Sequence, residues 1–437
     1  MKYKILIIFI LAFIIRLIAL NQSLWADEGT TARVVSQYSY QQIITQFSPH
    51  DFHPSTYYLF MKGWTQIFGI SEISLRMPSV IFSLLTGYLL YLIAGIWAAA
   101  FFLFNPLIIY YSQEARMYIM ATFFLTAALF YFLKIIKNTK ETKIKKSDSI
   151  FFGAFISLSL LTFYGSIFLI APLYLYFLYK KQYKNLIIGL FVGFINLILI
   201  SPLLITQLTN SKIALSSVAH WSLVLGKANI KNLLLIPVKF AIGRIDFYPK
   251  WLYYSISGAW TLFILFQITI VSKIKDTKLY YFLFICPLVL GFLISFWTPL
   301  LQYFRFIYLI PILAILLSYS RKNRWLMVTG FTIFSLVYLL LPQFYREDWK
   351  GLAVHLDSRA PVYMILPSAD TLKYYRKDLV IYDLQNISDK AIEKNIVVIP
   401  YTTAIYGLDY KTMLKNKNYK LTEVISYRNL TVEYWQR

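Results

Sequence analysis

Long apolar segments, separated by short polar stretches, make up the first three quarters of the chain. The first is residues 5–20, and the later ones are residues 79–95, 96–111, 116–136, 150–164, 166–179, 185–205, 251–271, 279–297, 303–319 and 325–341. Most are close to the ~20 residues that cross a bilayer as a helix. The pattern predicts a polytopic α-helical membrane protein with about eleven transmembrane helices, two of which meet at Gly95 with almost no polar turn between them.

A polar loop, residues 21–77, follows the first apolar segment. Within it, apolar residues recur at three- and four-residue spacing from Tyr57 to Phe68, and Gly69 comes next. This spacing predicts a helix with one apolar face, which ends at the glycine. The helix either lies along the membrane surface or packs against the rest of the protein.

The last part of the chain is polar and differs from everything before it. Short apolar runs at residues 362–366, 379–382 and 396–399 alternate with helical patterns, and residues 421–434 resemble closing strands. Strands that alternate with helices indicate a small α/β domain. We therefore predict two domains, a transmembrane domain at 1–341 and an extracytoplasmic α/β domain at 342–437.

Composition supports the prediction of a membrane protein and limits the classes of molecule that it could bind. The chain is 58% hydrophobic and only 14% charged, whereas soluble proteins carry about a quarter charged residues. Its net charge of +23 comes from lysines and arginines in short loops, at residues 134–146, 180–184, 273–278 and 321–324. Loops of this kind lie on the inner side of a membrane, so the charge favours contact with membrane lipids and argues against nucleic acid. The single cysteine, Cys286, excludes an intrachain disulfide.

This charge distribution also predicts the orientation of the chain. If the N-terminus is inside, an odd number of spans leaves the C-terminal domain outside, together with the polar loop that follows the first span. Several charged or polar side chains then share the outer face: Arg16, Asp27, Glu28, His53, Gln113, Glu114, Arg116 and Arg305.

These residue types suit transfer of a sugar from a lipid-linked phosphate. An arginine can bind a phosphate bidentately, and a carboxylate can take the proton of an attacking hydroxyl. We find no Walker A or GxGxxG motif that would indicate a nucleotide-dependent reaction. Structural interpretations stay open at this point. Asp27 and Glu28 could cap a helix, Glu114 and Arg116 could form an ion pair, and Arg16 could reach the lipid headgroups.

The order of five motifs resembles the GT-C superfamily of polyprenyl-phosphate-dependent glycosyltransferases, in the branch of the protein O-mannosyltransferases and the lipid A aminoarabinose transferases. The resemblance rests on residues 16–17, 24–29 (LWADEG), 53–58 (HPSTYY), 71–79 (SEISLRMPS) and 105–118, which include NP and YYSQEARMY. A weaker match covers residues 305–311. Departures are Ser55 in place of a second proline, the missing basic turn at Gly95, and the absence of a histidine in residues 161–165.

The resemblance implies a GT-C fold with two outer juxtamembrane helices within residues 26–70. It also implies Asp27 as the catalytic base, with Glu28 shaping the catalytic site. Arg305, Arg116 and Arg16 are the candidate donor-phosphate ligands. The candidate donor and acceptor pocket consists of His53, Tyr57, Tyr58, Gln113, Glu114 and Tyr118. Some relatives use a divalent metal and others do not; the candidate ligands here are Glu28, His53 and Glu114, without a tight ligand spacing.

We therefore expect an inverting glycosyltransferase at the outer face of a bacterial cytoplasmic membrane. Its partners would be a polyprenyl-phosphate-linked sugar and an acceptor that is a lipid, a glycan or a protein. Three alternatives remain: a flippase for a lipid-linked sugar, a polysaccharide polymerase or ligase, and a structural membrane scaffold. A flippase would need the arginines but no base, and the chain shows none of the matching halves that transporters often have.

Overall fold

The computed structural model of the protein describes residues 2–138, 146–356, 360–387 and 393–437. It is mainly α-helical up to residue 340. The helices of this part are α1 (Lys2–Leu17), α2 (Ala26–Gln37), α3 (Tyr40–Gln42), α4 (Thr56–Phe68), α5 (Glu72–Leu103), α6 (Pro106–Ser112), α7 (Tyr118–Asn138), α8 (Lys146–Thr162), α9 (Ile167–Tyr179), α10 (Tyr183–Ser217), α11 (Trp221–Leu225), α12 (Ile230–Ile242), α13 (Lys250–Val271), α14 (Lys278–Ile294), α15 (Ile310–Ser318) and α16 (Arg324–Leu340). Three lysines of the predicted inner loops, Lys140, Lys143 and Lys145, fall outside the described residues.

The predicted helical membrane architecture is confirmed, but the number of eleven spans is not. Among the described residues, five helical segments are long and apolar enough to cross a bilayer: Glu72–Leu103, Tyr118–Lys137, Tyr183–Ser217, Lys250–Val271 and Lys275–Ile294. Shorter apolar helical segments cover Tyr164–Tyr179, Tyr303–Ser318 and Arg324–Leu340. The count differs because several apolar sequence segments form helices of 16 or 17 residues, such as α1 and α8.

The break at Gly95 is present, although α5 starts earlier than the apolar segment does. Gly95 has φ +81° and ψ −172°, which interrupts the helix inside α5. A glycine tolerates this left-handed φ because it has no Cβ. Two apolar helical stretches therefore meet at one residue, which is why no polar turn separates them in the sequence.

Both juxtamembrane helices are present, as α2 and α4. Helix α4 buries Tyr57, Tyr58 and Met61, leaves Ile67 exposed, and ends where Gly69 adopts φ +75°. Helix α2 begins directly after Trp25, whose backbone is extended. The sequence analysis did not predict the apolar helix α12, because residues 230–242 lie between the apolar segments 185–205 and 251–271.

The C-terminal part is a small α/β sheet structure, as predicted. Its elements are α17 (Trp349–His355), β1 (Val362–Met364), α18 (Asp370–Tyr375), β2 (Ile381–Asp383), β3 (Asn395–Val398), α19 (Thr403–Tyr406), α20 (Tyr410–Asn416), β4 (Lys420–Tyr427) and β5 (Leu430–Gln436). The strand order is β2-β1-β3-β5-β4, with β1 parallel to both its neighbours and β5 antiparallel to β3 and β4. Alternate residues of β1 enter separate cores on the two faces of the sheet.

Helix α18 attaches this sheet structure to α2. A Cβ at Gly29 would lie 2.2 Å from Thr371 Oγ1 and 2.6 Å from the Thr371 backbone, so the two helices touch closely. Arg33 of α2 also pairs with Asp370 at 2.8 Å. The helix that carries the acidic pair is thus held between the membrane helices and the C-terminal sheet.

Candidate active site

The acidic pair lies in the first turn of α2, where the two side chains have different surroundings. Asp27 keeps 45% of its side chain exposed, while Glu28 is fully buried. Consecutive residues of a helix point about 100° apart, so one carboxylate faces the site and the other faces the protein interior. Only Asp27 is therefore placed to meet a substrate.

Glu28 is held by a buried ion pair that the sequence did not reveal. Its two oxygens accept hydrogen bonds from Arg76 Nε at 2.8 Å and Arg76 Nη2 at 2.6 Å. The backbone N–H of Ala115 adds a third bond, at 2.8 Å. Burial alone would raise the pKa of Glu28, but the Arg76 guanidinium outweighs burial and lowers it. Glu28 thus joins α2, α5 and the loop before α7, and its expected part in shaping the catalytic site stays a prediction.

Arg116 is the immediate partner of Asp27. Its Nη2 lies 3.6 Å from Asp27 Oδ2, and its Nη1 donates a hydrogen bond of 3.0 Å to the Tyr58 hydroxyl. The arginine is only 5% exposed. A half-exposed carboxylate is therefore held beside a buried cation.

An apolar cavity of about 380 Å³ lies near this pair, and its lining includes the side chains of His53 and Arg305. Its remaining lining is mainly apolar, from residues 163–168, 204–215 and 294–306. Arg305 Nη1 donates to the carbonyl oxygens of Leu225 and Pro299, at 3.2 and 3.1 Å. These bonds fix the guanidinium at the cavity wall.

His53 is held at the cavity by its neighbours. Its Nδ1 lies 3.5 Å from Asp51 Oδ1, and its carbonyl accepts a hydrogen bond of 2.9 Å from Gln207 of α10. Burial lowers the pKa of His53, and the charges of Arg116 and Arg305 lower it further, against the opposing effect of Asp51. The imidazole is therefore neutral near pH 7 in the absence of an anion.

Tyr118 connects the acidic side of the site with the cavity. Its ring packs against Phe163 and Phe304, with centroids 5.7 and 5.4 Å apart. It also interacts electrostatically with Asp27, Arg116 and Arg305. The exposed carboxylate, its arginine and the cavity arginine thus surround one tyrosine.

A second charged cluster lies around Glu114 and includes a residue from beyond the last membrane helix. Arg346 forms a buried ion pair with Glu114. The same guanidinium lies over the rings of Trp25 and Tyr110, at 3.9 and 4.6 Å from their centroids. Arg244 donates a hydrogen bond of 2.7 Å to the Tyr110 hydroxyl. Burial raises the pKa of Glu114 to about 7 despite these cations.

Two predicted site residues have structural partners instead. Arg16 is fully buried, and its guanidinium donates to Ser83 Oγ, Ala12 O and Leu103 O. Its guanidinium therefore joins α1 to α5. Gln113 donates to the carbonyl oxygens of Arg16 and Ile18, at 2.9 and 2.6 Å, which secures the end of α1.

Two tyrosines of α4, Tyr57 and Tyr58, are buried behind the site. Tyr58 contacts it through Arg116. The Tyr57 hydroxyl is buried without a hydrogen-bond partner among the described residues.

The candidate metal ligands do not form a metal site. In the described ranges, no three histidine, cysteine or carboxylate side chains come together as metal ligands. Glu28 is occupied by Arg76, His53 pairs with Asp51, and Glu114 pairs with Arg346. A divalent cation would have to compete with an arginine for either glutamate, so this donor set does not fit one.

Sequence reasoning missed four members of the site: Asp51, Arg76, Arg244 and Arg346. Arg76 was part of a matching motif, and a buried arginine between apolar residues is a usable signal. Asp51 precedes His53 by two residues. Arg244 and Arg346 lie outside every motif that the sequence analysis identified.

The chain is similar to known sugar transferases in two ways. The family of dolichyl-phosphate-mannose-protein mannosyltransferases matches residues 52–206, which include His53, Glu114, Arg116 and Tyr118. No curated protein sequence matches the chain. Solved structures share its fold, among them ArnT from Cupriavidus metallidurans bound to undecaprenyl phosphate, with a TM-score of 0.57 and 12% identity over 99% of this chain and 97% of that one.

Two structures of the Archaeoglobus fulgidus oligosaccharyltransferase are also similar. The complex with Zn and sulfate has a TM-score of 0.51 and 13% identity, over 90% of this chain and 67% of that one. The AglB complex with an inhibitory peptide and a dolichol-phosphate has a TM-score of 0.52 and 13% identity, over 91% and 69%. At these identities the structures establish the fold. Together with the family match over residues 52–206, they show that the chain is similar to the GT-C superfamily of polyprenyl-phosphate-dependent glycosyltransferases and shares its fold.

Proposed function

We propose that the protein is a glycosyltransferase that moves a sugar from a polyprenyl-phosphate donor to an acceptor hydroxyl, with inversion, at the outer face of a bacterial cytoplasmic membrane. One observation carries the proposal. The apolar cavity with Arg305 and His53 lies beside a half-exposed carboxylate that is paired with a buried arginine. Lipid, phosphate and proton acceptor would thus each find a matching environment within one site.

The cavity suits the lipid part of the donor. Its lining includes Phe163, Phe168, Leu204 and Leu208, and such side chains favour a branched hydrocarbon over water. The prenyl chain would lie between α9, α10 and α14, with its phosphate at Arg305. Arg116 and a protonated His53 would provide further positive charge next to the phosphate.

In the proposed reaction, Asp27 accepts the proton of the acceptor hydroxyl while the acceptor oxygen bonds to the anomeric carbon. The bond between that carbon and the phosphate oxygen breaks, and the electron pair leaves with the polyprenyl phosphate. The phosphate gains negative charge as it leaves, so Arg305 and Arg116 stabilise the transition state more than the bound donor. Attack from the side opposite the phosphate inverts the anomeric configuration.

The acceptor would approach Asp27 from the side of the C-terminal sheet. Tyr401, which follows β3, interacts electrostatically with Asp27, and its hydroxyl donates a hydrogen bond of 3.2 Å to Glu347. These residues form a polar wall near the carboxylate. A lipid, a glycan or a protein could supply the hydroxyl at this wall.

Donor binding tests the assignment of the phosphate site. Purified wild-type protein would be titrated with a panel of labelled polyprenyl-phosphate sugars, next to Arg305→Gln and the control Arg321→Gln, which removes an exposed arginine. We expect Arg305→Gln to weaken donor binding at least tenfold, since a charged hydrogen bond to phosphate is lost. The control should bind like the wild type. Equal affinity of all three proteins would contradict the phosphate site.

The same assay separates the alternative functions. A flippase would move labelled lipid between the leaflets of a vesicle without forming a glycosylated product. A polymerase or ligase would accept only donors that carry an oligosaccharide. Transfer of a single sugar to an added acceptor is the result that the proposal predicts.

A further inference from the structure

A second cavity lies far from the candidate active site, between the N-terminal halves of α8 and α10. It has a volume of about 550 Å³. Its lining includes two lysines, Lys146 and Lys184, which lie near the N-terminal ends of α8 and α10. Both lysines are exposed, and Asn185 beside them is buried. The described residues show no carboxylate lining this cavity, and the buried Asp148 is not part of its wall.

The C-terminal parts of α8 and α10 contact the candidate active site, and this determines on which side of the membrane the cavity lies. Helix α8 ends at Thr162, and the next residue, Phe163, packs against Tyr118 and His53 of the candidate active site. Lys146 is sixteen residues earlier, which is about 24 Å along a helix. Helix α10 contacts His53 through Gln207, 23 residues after Lys184. Both lysines therefore lie at the membrane side remote from the active site.

Small residues of α8 make the space in this cavity. Ser149, Gly153 and Ser157 recur every four residues and face Ile188 and Val192 of α10. A Cβ at Gly153 would lie 3.3 Å from Val192 Cγ2, so larger side chains would fill the space. The result is a groove that is apolar along its length and cationic at one end.

The groove also has a defined depth. From Lys146 to Ser157, and from Lys184 to Ile195, the helices rise by about 17 Å. This equals roughly one leaflet, since the hydrocarbon core of a bilayer is ~30 Å thick. At the deep end, Asn196 donates a hydrogen bond of 2.8 Å to Ser157 Oγ and links the two helices.

We propose that this groove binds one anionic glycerophospholipid of the leaflet remote from the active site. The acyl chain would lie along the small residues of α8, and the headgroup phosphate would contact Lys146 and Lys184. Charge complementarity selects an anionic headgroup, because a zwitterionic one carries its own cation and gains less from two lysines. The length of the groove selects a single leaflet lipid over the much longer polyprenyl donor.

Native mass spectrometry of the purified full chain tests this site. The protein would be offered phosphatidylglycerol and phosphatidylcholine with identical acyl chains. The test variant is Lys146→Gln/Lys184→Gln. The control is Lys273→Gln/Lys275→Gln, which removes two exposed lysines from another basic loop that lines no part of the groove. We expect the wild type and the control to retain phosphatidylglycerol with about tenfold preference, and the test variant to lose that preference.

A second variant tests the acyl-chain part. Ala154→Leu fills the groove while it keeps both lysines, so it should reduce retention of both lipids. Equal phosphatidylglycerol retention in the two lysine variants would overturn the site, as would equal retention of the two lipids by the wild type. None of these measurements depends on sugar transfer, so their outcome is independent of the proposed function.

Discussion

Asp27 and Glu28 are neighbours in the chain, yet the fold gives them separate tasks. Glu28 receives two hydrogen bonds from Arg76 and one from a backbone N–H in a site without water access, whereas Asp27 faces an open site next to Arg116. A buried carboxylate with its full set of partners positions other groups and does not exchange protons readily. The ion pair of Glu28 therefore fixes the start of α2 and, with it, the position of Asp27.

Removing Arg76 should destabilise the protein strongly. Arg76→Gln would leave the Glu28 carboxylate buried without its cation, which costs about 3–5 kcal/mol. Thermal unfolding and denaturant titration in detergent would measure this loss. Arg321→Gln, at an exposed position, should change stability by less than about 0.5 kcal/mol. If Arg76→Gln were as stable as this control, Glu28 would not depend on the pair.

Donor binding should depend on pH through His53. The pKa of His53 is lowered in the free protein, and a phosphate bound next to it would raise that pKa. A group whose pKa rises on binding takes up a proton, so donor affinity should increase as pH falls through the two pKa values. Titrations between about pH 8 and pH 5 would show this dependence.

The test variant for this pH dependence is His53→Gln, and the control is His220→Gln. His220 is exposed and does not line the cavity. We expect a weaker pH dependence in the first and an unchanged one in the second. Glu114, whose pKa burial raises to about 7, remains in both proteins and contributes equally. The same slope in His53→Gln as in the wild type would exclude His53 from the phosphate site.

Residue types and their order predicted many residues of this site, but they did not predict which of these residues form ion pairs with each other. The sequence motifs identified Asp27, Arg116, His53 and Tyr118, because the residue types and the order of these motifs resemble those of the family. The contribution of Arg346 could not be found in this way, because its partner Glu114 precedes it by 232 residues. Glu28 looked equivalent to Asp27, because a sequence does not tell which of two adjacent helical carboxylates faces inward.

At the scale of elements, α2 is placed by what packs on both of its sides. Its inner side is tied to α5 through Arg76, and its outer side touches α18 at Gly29. The motif that carries the acidic pair therefore also contains the glycine needed for close contact with the C-terminal sheet. This explains a glycine in the middle of a helix, where it otherwise costs stability.

Gly29→Ala should separate the effects of packing and helix propensity. The new Cβ would collide with the Thr371 backbone, and overpacking of this kind costs about 1–3 kcal/mol. This exceeds the gain of about 1 kcal/mol from replacing glycine by alanine in a helix. We expect a lower unfolding temperature and slower sugar transfer, since Asp27 lies two residues away.

The control for this substitution is Gly193→Ala in α10, where the Cβ would meet open space. There the propensity gain is unopposed, so stability should stay equal or increase. We therefore expect Gly29→Ala to lower the stability of the protein and Gly193→Ala to leave it equal or raise it. A stabilising Gly29→Ala with full activity would show that α2 and α18 are not in close contact.

At the scale of the whole molecule, the site is assembled from distant parts of the chain. Asp27 comes from α2, Arg116 from the loop before α7, Arg305 from the segment before α15, and Arg346 from the region after α16. The sequence predicted the helical and α/β parts because their hydrophobic periods differ. The number of spans stays a prediction, because several of the apolar segments form helices shorter than the ~20 residues that cross a bilayer.

The proposed orientation can be measured with single cysteines. In a Cys286→Ser background, Tyr248→Cys places a thiol at a residue that is 82% exposed before α13, and Lys273→Cys places one in the exposed loop after it. In intact cells a membrane-impermeant thiol reagent should label the first position, and the second only after permeabilisation. The reverse pattern would place the active site in the cytoplasm.

The most direct test of the central claim is sugar transfer by Asp27→Asn in a single-turnover assay, with donor binding measured on the same protein. Asparagine keeps the size of the side chain but cannot accept the proton. We expect donor binding at least as tight as in the wild type and transfer slower by about a hundredfold to ten-thousandfold. Asp246→Asn, which changes another exposed aspartate, should transfer normally. Transfer by Asp27→Asn at the wild-type rate would contradict the role of Asp27 as the base.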